Sequence, residues 1–283
     1  MFKVHTFESN NAGPHILILG AVHGNEIAGT LAIQQFIQQF ETKKLSLKSG
    51  KITFIPTVNE QAQLYDRRFI DENLNRVMKY HIHPDTYEKK IANQLLSYIE
   101  KADILLDLHS THCPEDEAFA FIDYPNEKNL DFLNIVPVQT ALAGWPEIYR
   151  NNTEIDNFST EEYAHQKGTN ALTVECGYHK DLKAVEIAKK TISNTLSHYG
   201  LIEKETPLLC EKKIITLSSF VVKEKAGTLQ KDFKHLDPIK KNDILATYET
   251  GEKLVSPLDG FIIMPNHQAE IGAEWYYLGK EKS

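Results

Sequence analysis

The stretch that decides the fold is HILILGAV, which occupies residues 15–22 and is followed at once by HGNE at 23–26. This apolar run is bounded by glycine and proline residues, so it predicts a short strand that is buried on both faces. A helical pattern comes next, with large apolar side chains on one face of residues 25–40. A buried strand that leads into an amphipathic helix is typical of a parallel sheet covered by helices.

The same alternation continues through the first two-thirds of the chain. Apolar runs predict further strands at 51–58, 102–108 and 171–174. Helices are predicted at 85–100 and 182–199, where apolar residues recur every three or four positions. Strands separated by helices of this length predict an α/β fold with a mixed, largely parallel sheet flanked by helices.

The pattern changes in the last quarter of the chain. Short apolar runs at 213–222, 244–248 and 261–264 alternate with glycine-containing turns, and no helical period separates them. We therefore expect a catalytic domain at residues 1–204 and a small C-terminal β domain at residues 205–283.

Composition and charge restrict the kinds of function. The formal net charge of −8 argues against a broad nucleic-acid-binding face, because phosphate binding requires a basic surface. The three cysteines are far apart and form no CxxC motif, which is typical of reduced thiols in the cytoplasm. The first apolar run is too short to span a membrane. We expect a cytoplasmic protein that binds neither nucleic acid nor membrane.

Metal-binding side chains follow two of the predicted strands. His23 and Glu26 come directly after the first strand, and His109 follows the strand at 102–108 within the sequence DLHST. Because the carboxyl ends of parallel strands meet at one edge of a sheet, we expect these side chains to lie together. Two histidines and one carboxylate, with a fourth position for water, form the ligand set of a catalytic zinc site. The prediction rests on finding metal-binding side chains at the ends of two strands, because an isolated HxxE motif is weak evidence.

Two further carboxylates belong to the same predicted edge. Glu175 follows the strand at 171–174, and near a metal a carboxylate there can move a proton between water and a leaving nitrogen. On its own, the same residue would be interpreted as a strand end that faces solvent. Asp107 lies two residues before His109, on the same side of the strand, where it can support the site.

The segment RRFIDENLNR, residues 67–76, carries the candidate anion-binding groups. Arg68 and Arg76 offer planar guanidinium groups that suit carboxylates, and Asn75 offers a hydrogen-bond donor. In isolation this segment would be interpreted as a solvated charged loop.

The motifs GAVHGNE, RxxxxxxNR, DLHST and VECG occur here in the order and spacing of the succinylglutamate desuccinylase/aspartoacylase family. The chain resembles this family, a branch of the zinc carboxypeptidase fold, over its whole length. The resemblance implies a zinc carboxypeptidase-like sheet and a C-terminal β domain that caps the site. It further implies that His23, Glu26 and His109 bind one zinc ion per chain and that Glu175 is the general acid/base.

The resemblance also assigns the residues that handle the substrate. It implies that Arg68 polarises the scissile carbonyl and that Asn75 and Arg76 hold the substrate carboxylate. Tyr277, in EWYY at 274–277, matches a tyrosine that relatives direct at the substrate.

The implied reaction is zinc-dependent hydrolysis of the amide bond of a small anionic N-acyl amino acid, by metal-activated water with a glutamate acid/base. Two alternatives stay open, namely a zinc carboxypeptidase for short peptides and a non-catalytic, metal-dependent binding module. A homo-oligomer is compatible with the sequence. Two positions depart from aspartoacylases: His165 replaces a substrate-binding arginine, and Glu161 replaces a tyrosine. These departures leave the acyl group and the amino acid undetermined.

Overall fold

The protein is described by a computed structural model that covers residues 2–114, 116–150, 158–203 and 212–281. The chain divides into two compact units. Unit 1 comprises residues 1–141 and 153–212, and unit 2 comprises residues 142–152 and 213–283. The boundary expected at residue 204 and the third cysteine, Cys210, lie outside the described residues.

The described residues form fourteen strands and seven α-helices. The strands are β1 His5–Glu8, β2 His15–Gly20, β3 Lys51–Ile55, β4 Ile104–Thr111, β5 Phe119–Phe121, β6 Thr140–Ala143, β7 Asn170–Tyr178, β8 Lys213–Val222, β9 Gly227–Leu229, β10 Asp237–Ile239, β11 Ile244–Tyr248, β12 Lys253–Val255, β13 Gly260–Ile263 and β14 Glu274–Glu281. The helices are α1 Ala28–Glu41, α2 Glu60–Leu64, α3 Tyr87–Ile99, α4 Glu127–Ile135, α5 Trp145–Arg150, α6 Thr160–Lys167 and α7 Leu182–His198, with a 3-10 turn at Leu74–Arg76.

The sheet of unit 1 has the strand order β1-β3-β2-β4-β7-β5. The pairs β3–β2, β2–β4 and β4–β7 are parallel, whereas β1 and β5 each run antiparallel to their neighbours. Every residue of β4 is buried, as expected for a strand covered on both faces. This arrangement confirms the predicted mixed, largely parallel sheet.

The helices of unit 1 cover the sheet in two groups. Helices α1 and α7 contact each other and the central strands, while α3 contacts α6. Leu17, Leu19 and Leu105 share one core cluster with Ile91 and Leu95 of α3. These odd-numbered strand residues show which sheet face α3 covers, because side chains alternate between the faces along a strand. His109 and Asp107 have the same parity as Leu105 and therefore point to the α3 side.

Two strands of unit 1 are longer than their apolar runs predict. Residues 104–108 of the first run belong to β4, which begins at Ile104 and continues to Thr111. The run at 171–174 belongs to β7, which continues to Tyr178. His109 and Glu175 therefore lie inside strands and are paired in register. The prediction that both strands ended earlier was wrong because the polar functional side chains interrupt the apolar pattern without interrupting the backbone pairing.

Unit 2 is an antiparallel β region. Strands β8, β14, β13 and β10 are adjacent in that order, and β12, β11 and β9 form a three-stranded sheet. Its core contains Trp275, Tyr276 and Ile262. The expected C-terminal β domain is thus present in the fold, whereas its role as a cap stays a prediction. Among the described helices, none combines the length and the apolar character that a membrane crossing requires.

Candidate metal centre

The structure brings together the three predicted metal ligands. His23 and Glu26 lie in the connection between β2 and α1, and His109 lies in β4. Their exposed fractions are 3%, 2% and 2%. Glu26 lies between the two imidazoles, with its Oε1 2.9 Å from His23 Nδ1 and its Oε2 2.8 Å from His109 Nδ1. The two Nδ1 atoms are 3.1 Å apart, so all three side chains point at one small region.

The far side of each imidazole faces an acceptor oxygen. His109 Nε2 is 3.1 Å from Asp107 Oδ2, and His23 Nε2 is 3.0 Å from Asn73 Oδ1. The backbone N–H of Asn75 also donates to Asn73 Oδ1 (2.9 Å), which identifies this atom as the amide oxygen. Asn73 favours the proton of His23 on Nε2, and the carboxylate of Asp107 lies close to Nε2 of His109. In the neutral form that binds a metal, each ring would therefore direct its Nδ1 toward Glu26.

The electrostatics of the cluster favour a cation. Burial alone would raise the pKa of Glu26, but His23 and His109 hold it well below its ordinary value. Burial opposes a charge on His109, yet Asp107 and Glu26 raise its pKa well above the ordinary range. Burial and Arg68 lower the pKa of His23 to about 4. A buried carboxylate and two inward-facing imidazole nitrogens are a donor set of the kind zinc prefers, so the residues present fit this metal.

Glu175 stands beside this cluster. It lies in β7, opposite His109 in the register of the two strands, and it is buried. Among the described residues its Oε2 has no hydrogen-bond partner. Burial and the charge of Glu26 raise the pKa of Glu175 to about 8. A carboxyl group with this pKa is suited to exchanging a proton near neutral pH.

Arg68 lies at the rim of the cluster. Its Nη1 donates to Glu26 Oε1 at 2.6 Å, while 38% of its side chain remains exposed. Its carbonyl oxygen accepts from the N–H of Gly24 at 3.1 Å, which ties the arginine segment to the turn that carries His23. The guanidinium is thus held next to the centre with part of its surface open to solvent.

Asn75 and Arg76 lie in the 3-10 turn that follows. Asn75 Oδ1 accepts from the N–H of Thr160 at 3.2 Å, and Arg76 Nη1 donates to the carbonyl of Asn75 at 3.2 Å. Thr160 also donates its hydroxyl proton to Asp107 at 2.6 Å. The two predicted substrate-binding residues are therefore linked to the support of His109.

Tyr277 belongs to unit 2 and is buried there. Its hydroxyl is 2.8 Å from that of Tyr149, and its ring centroid is 4.6 Å from that of Trp145. The hydroxyl of Tyr149 donates to Glu274 at 2.6 Å. The role of Tyr277 toward a substrate stays a prediction.

The two positions that depart from aspartoacylases differ in their surroundings. His165 is exposed, and its ring stacks on Tyr124 with centroids 3.8 Å apart. Glu161 is buried, with Oε1 accepting from the N–H of Asp123 at 3.1 Å. Burial raises the pKa of Glu161 to about 7. His165 is therefore not among the side chains that meet around His23, Glu26 and His109.

Sequence reasoning missed two supports of the centre. Asn73 was inside the segment already singled out, and the even spacing of Asn73 and Asn75 was a signal that went unused. Thr160 had no usable signal, because its contact with Asp107 joins positions 53 residues apart. Supports of this kind are found only after the chain is folded.

Comparison with known proteins agrees with this geometry. Residues 12–199 match the model of the succinylglutamate desuccinylase/aspartoacylase catalytic domain. The chain belongs to this family. The family is named after two deacylating hydrolases, succinylglutamate desuccinylase and aspartoacylase.

Two curated relatives of the family align over most of the chain. The N-alpha-acetyl-L-2,4-diaminobutyric acid deacetylase of Halomonas elongata is 26% identical over 274 residues, which cover 90% of this chain and 76% of the relative. The succinylglutamate desuccinylase of Shewanella frigidimarina is 24% identical, with 95% of this chain and 83% of the relative covered.

Two solved structures share the fold. A succinylglutamate desuccinylase/aspartoacylase from Rhodobacter sphaeroides superposes with a TM-score of 0.79 at 18% identity, covering 99% of this chain and 90% of that one. The ectoine utilization protein EutE (DoeB) from Ruegeria pomeroyi, in a product-bound structure, gives a TM-score of 0.77 at 22% identity. It covers 98% of this chain and 88% of its own.

Proposed function

We propose that the chain is a zinc-dependent amidohydrolase that cleaves the amide bond of a small anionic N-acyl amino acid. The observation that carries this proposal is the convergence of His23 Nδ1, His109 Nδ1 and the Glu26 carboxylate within 4.8 Å of one another. The acceptor oxygens of Asp107 and Asn73 orient the two rings for this purpose. The names of the relatives add support, since each describes the removal of an acyl group from an amino acid.

His23, Glu26 and His109 would hold one zinc ion. Zinc bound there would lower the pKa of water and polarise an amide carbonyl, which is the chemistry that amide hydrolysis requires. Glu175 takes the proton from the attacking water on Oε2, which has no hydrogen-bond partner within the described ranges, and returns it to the departing nitrogen. With a pKa of about 8, Glu175 is mostly protonated at neutral pH, the form that donates to the nitrogen. A cation bound beside it would lower this pKa and favour the carboxylate that accepts the proton.

The remaining contacts to the substrate come from two arginines and an asparagine. Arg68 stabilises the negative charge that develops on the carbonyl oxygen, for which its partly exposed guanidinium lies at the rim of the centre. Asn75 and Arg76 hold the carboxylate of the amino acid, and this binding orients the amide toward Glu175. Tyr277 is retained as a substrate-binding candidate on the resemblance alone.

The decisive test is Glu175→Gln. The variant is expected to keep one zinc per chain and to lose at least about 10²-fold in kcat, because the neutral amide cannot accept a proton. Zinc content is measured together with the hydrolysis of a panel of N-acetyl and N-succinyl amino acids. The exposed Glu186→Gln on α7 is the matched control and should behave like the wild type.

Two outcomes would contradict the proposal. Near-normal turnover of Glu175→Gln with zinc bound would remove Glu175 from the proton transfer. Dipeptides in the same assay test the peptidase alternative, and a preference for them over every N-acyl amino acid would make the protein a carboxypeptidase instead.

A further inference from the structure

Glu88 is a fully buried carboxylate without an ion-pair partner among the described residues. It lies in the first turn of α3 and accepts four hydrogen bonds. Its Oε1 accepts from the N–H of Ile70 at 2.8 Å and from Asn59 Nδ2 at 3.0 Å. Its Oε2 accepts from the N–H groups of Asp71 and Glu72 at 3.1 and 3.3 Å. Three consecutive backbone N–H groups thus surround one anion.

Two side chains of the segment 70–72 accept hydrogen bonds from the N-terminal end of α3. Asp71 Oδ2 accepts from the N–H of Tyr87 at 2.7 Å, and Glu72 accepts from the hydroxyl of Thr86, the residue that caps α3. Carboxylates near a helix N-terminus are stabilised by its partial positive charge. The loop and the helix start are therefore joined in both directions.

Both ends of this joined segment reach the metal ligands. Two residues before it, Arg68 donates to Glu26 at 2.6 Å. One residue after it, Asn73 Oδ1 lies 3.0 Å from His23 Nε2. Glu88 therefore holds the backbone midway between two side chains that contact the centre.

A third connection runs through Asn59. Its side chain donates to Glu88, and its backbone N–H donates to the carbonyl of Ala21 at 2.9 Å, two residues before His23. The carboxylate of Glu88 is thus linked both to the arginine segment and to the turn that carries the ligands.

We propose that Glu88 is a positioning residue that acts through Arg68 and Asn73, by fixing the segment between them against the metal centre. This inference rests on the proposed function. A role limited to stability would also account for a buried carboxylate, because burying a charge is costly unless its hydrogen bonds are complete. The two roles differ in what a substitution does once Arg68 is absent.

The test is a double-mutant cycle of Glu88→Gln and Arg68→Ala. Glutamine keeps the shape, but its NH2 group cannot accept from the facing backbone N–H groups. We expect Glu88→Gln to lower kcat by about 10²-fold, since small misplacements of catalytic groups cost about this much. In the Arg68→Ala background the further loss should be smaller, limited to the part that Asn73 transmits to His23. An equal loss in both backgrounds would overturn the positioning role.

Hydrogen exchange supplies a readout that does not depend on activity. The amides of 70–72 should exchange faster in Glu88→Gln, while those of β2 stay unchanged. The control Thr195→Val removes a buried hydroxyl from α7, far along the chain, and should leave kcat and this exchange as in the wild type. Unchanged exchange at 70–72 in Glu88→Gln would overturn the inference.

A milder variant protects the test against misfolding. Asp71→Ala removes only the acceptor for Tyr87 from an exposed position, so it should lower kcat less, and again more strongly when Arg68 is present. An effect independent of Arg68 would again contradict the inference. If the wild type hydrolyses no compound of the panel, the proposed function fails, and the exchange measurement alone decides whether Glu88 holds the segment.

Discussion

The two histidines proposed as zinc ligands have different partners at Nε2. The carboxylate of Asp107 lies 3.1 Å from His109 Nε2, whereas Asn73 offers His23 a neutral amide oxygen at 3.0 Å. This difference agrees with the opposite directions of the two pKa shifts, since Asp107 helps to raise the pKa of His109 while burial and Arg68 lower that of His23. Within one group of side chains, the surroundings therefore favour the protonated form of His109 and the neutral form of His23.

The raised pKa of Glu161 predicts that the free energy of unfolding depends on pH. Burial raises its pKa from 4.5 to about 7, so the fold disfavours its charged form. Below pH 4.5 the carboxyl is protonated in both the folded and the unfolded state. Between pH 4.5 and 7 the unfolded chain releases its proton first, and the free energy of unfolding falls. At about 1.36 kcal/mol per pKa unit, this loss totals about 3 kcal/mol and is complete above pH 7.

The variant Glu161→Gln is expected to lack this loss. The free energy of unfolding of the variant minus that of the wild type should be about 3 kcal/mol larger at pH 8 than at pH 4.5, so the variant gains stability relative to the wild type as the pH rises. Urea unfolding at the two pH values measures this difference. Glu162→Gln, one residue further along α6 and partly exposed, is the control. A Glu161→Gln variant whose pH dependence parallels that of the wild type would contradict the assignment.

The turn between β2 and α1 depends on a close contact with α2. A Cβ at Gly24 would lie 2.2 Å from the backbone nitrogen of Gln63 and 2.3 Å from the carbonyl carbon of Ala62. Those atoms are backbone, so either the turn or α2 must move. Only glycine lets His23 and Glu26 lie this close to the helix.

We therefore expect Gly24→Ala to lower the free energy of unfolding by about 1–3 kcal/mol, the usual cost of overpacking. It should also weaken metal binding, because His23 adjoins the displaced residue. Urea unfolding and zinc titration measure the two effects. Gly200→Asn is the control, since Gly200 has φ of 76°, nothing lies within 4 Å of its added Cβ, and asparagine tolerates this conformation. Wild-type zinc affinity in Gly24→Ala would refute the packing argument.

Secondary structure was predictable where a long apolar pattern existed. Helix α7 was expected at 182–199 and runs Leu182–His198, and α1 was expected at 25–40 and runs Ala28–Glu41. Strands β1 and β5 have only four and three residues, too few to establish a period of two. Helix α6 carries mostly polar residues, so its apolar stripe is too weak to be recognised.

All three predicted zinc ligands belong to unit 1, and they are separated by up to 86 residues along the chain. Zinc should therefore raise the stability of this unit, because the unfolded chain cannot assemble the site. We expect an increase of about 2.7 kcal/mol in the free energy of unfolding at a free zinc concentration one hundred times Kd. Thermal unfolding with zinc and with a chelator measures it.

The variant His109→Ala should lose this stabilisation. His112→Ala removes an exposed histidine three positions further along the chain and should retain it. Equal stabilisation of both variants by zinc would show that the metal binds elsewhere.

The sequence by itself determined the fold class, the convergence of His23, Glu26 and His109, and the family. Buried parallel strands appear as continuous apolar runs, and the motifs that follow them are local in the chain. Only the tertiary structure decided how far β4 and β7 extend, that Thr160 supports Asp107, that Glu88 holds residues 70–72, and that His165 stacks on Tyr124. The physical reason is that these features are contacts between side chains or backbone groups remote from one another in sequence, and such contacts leave no periodic pattern in the chain.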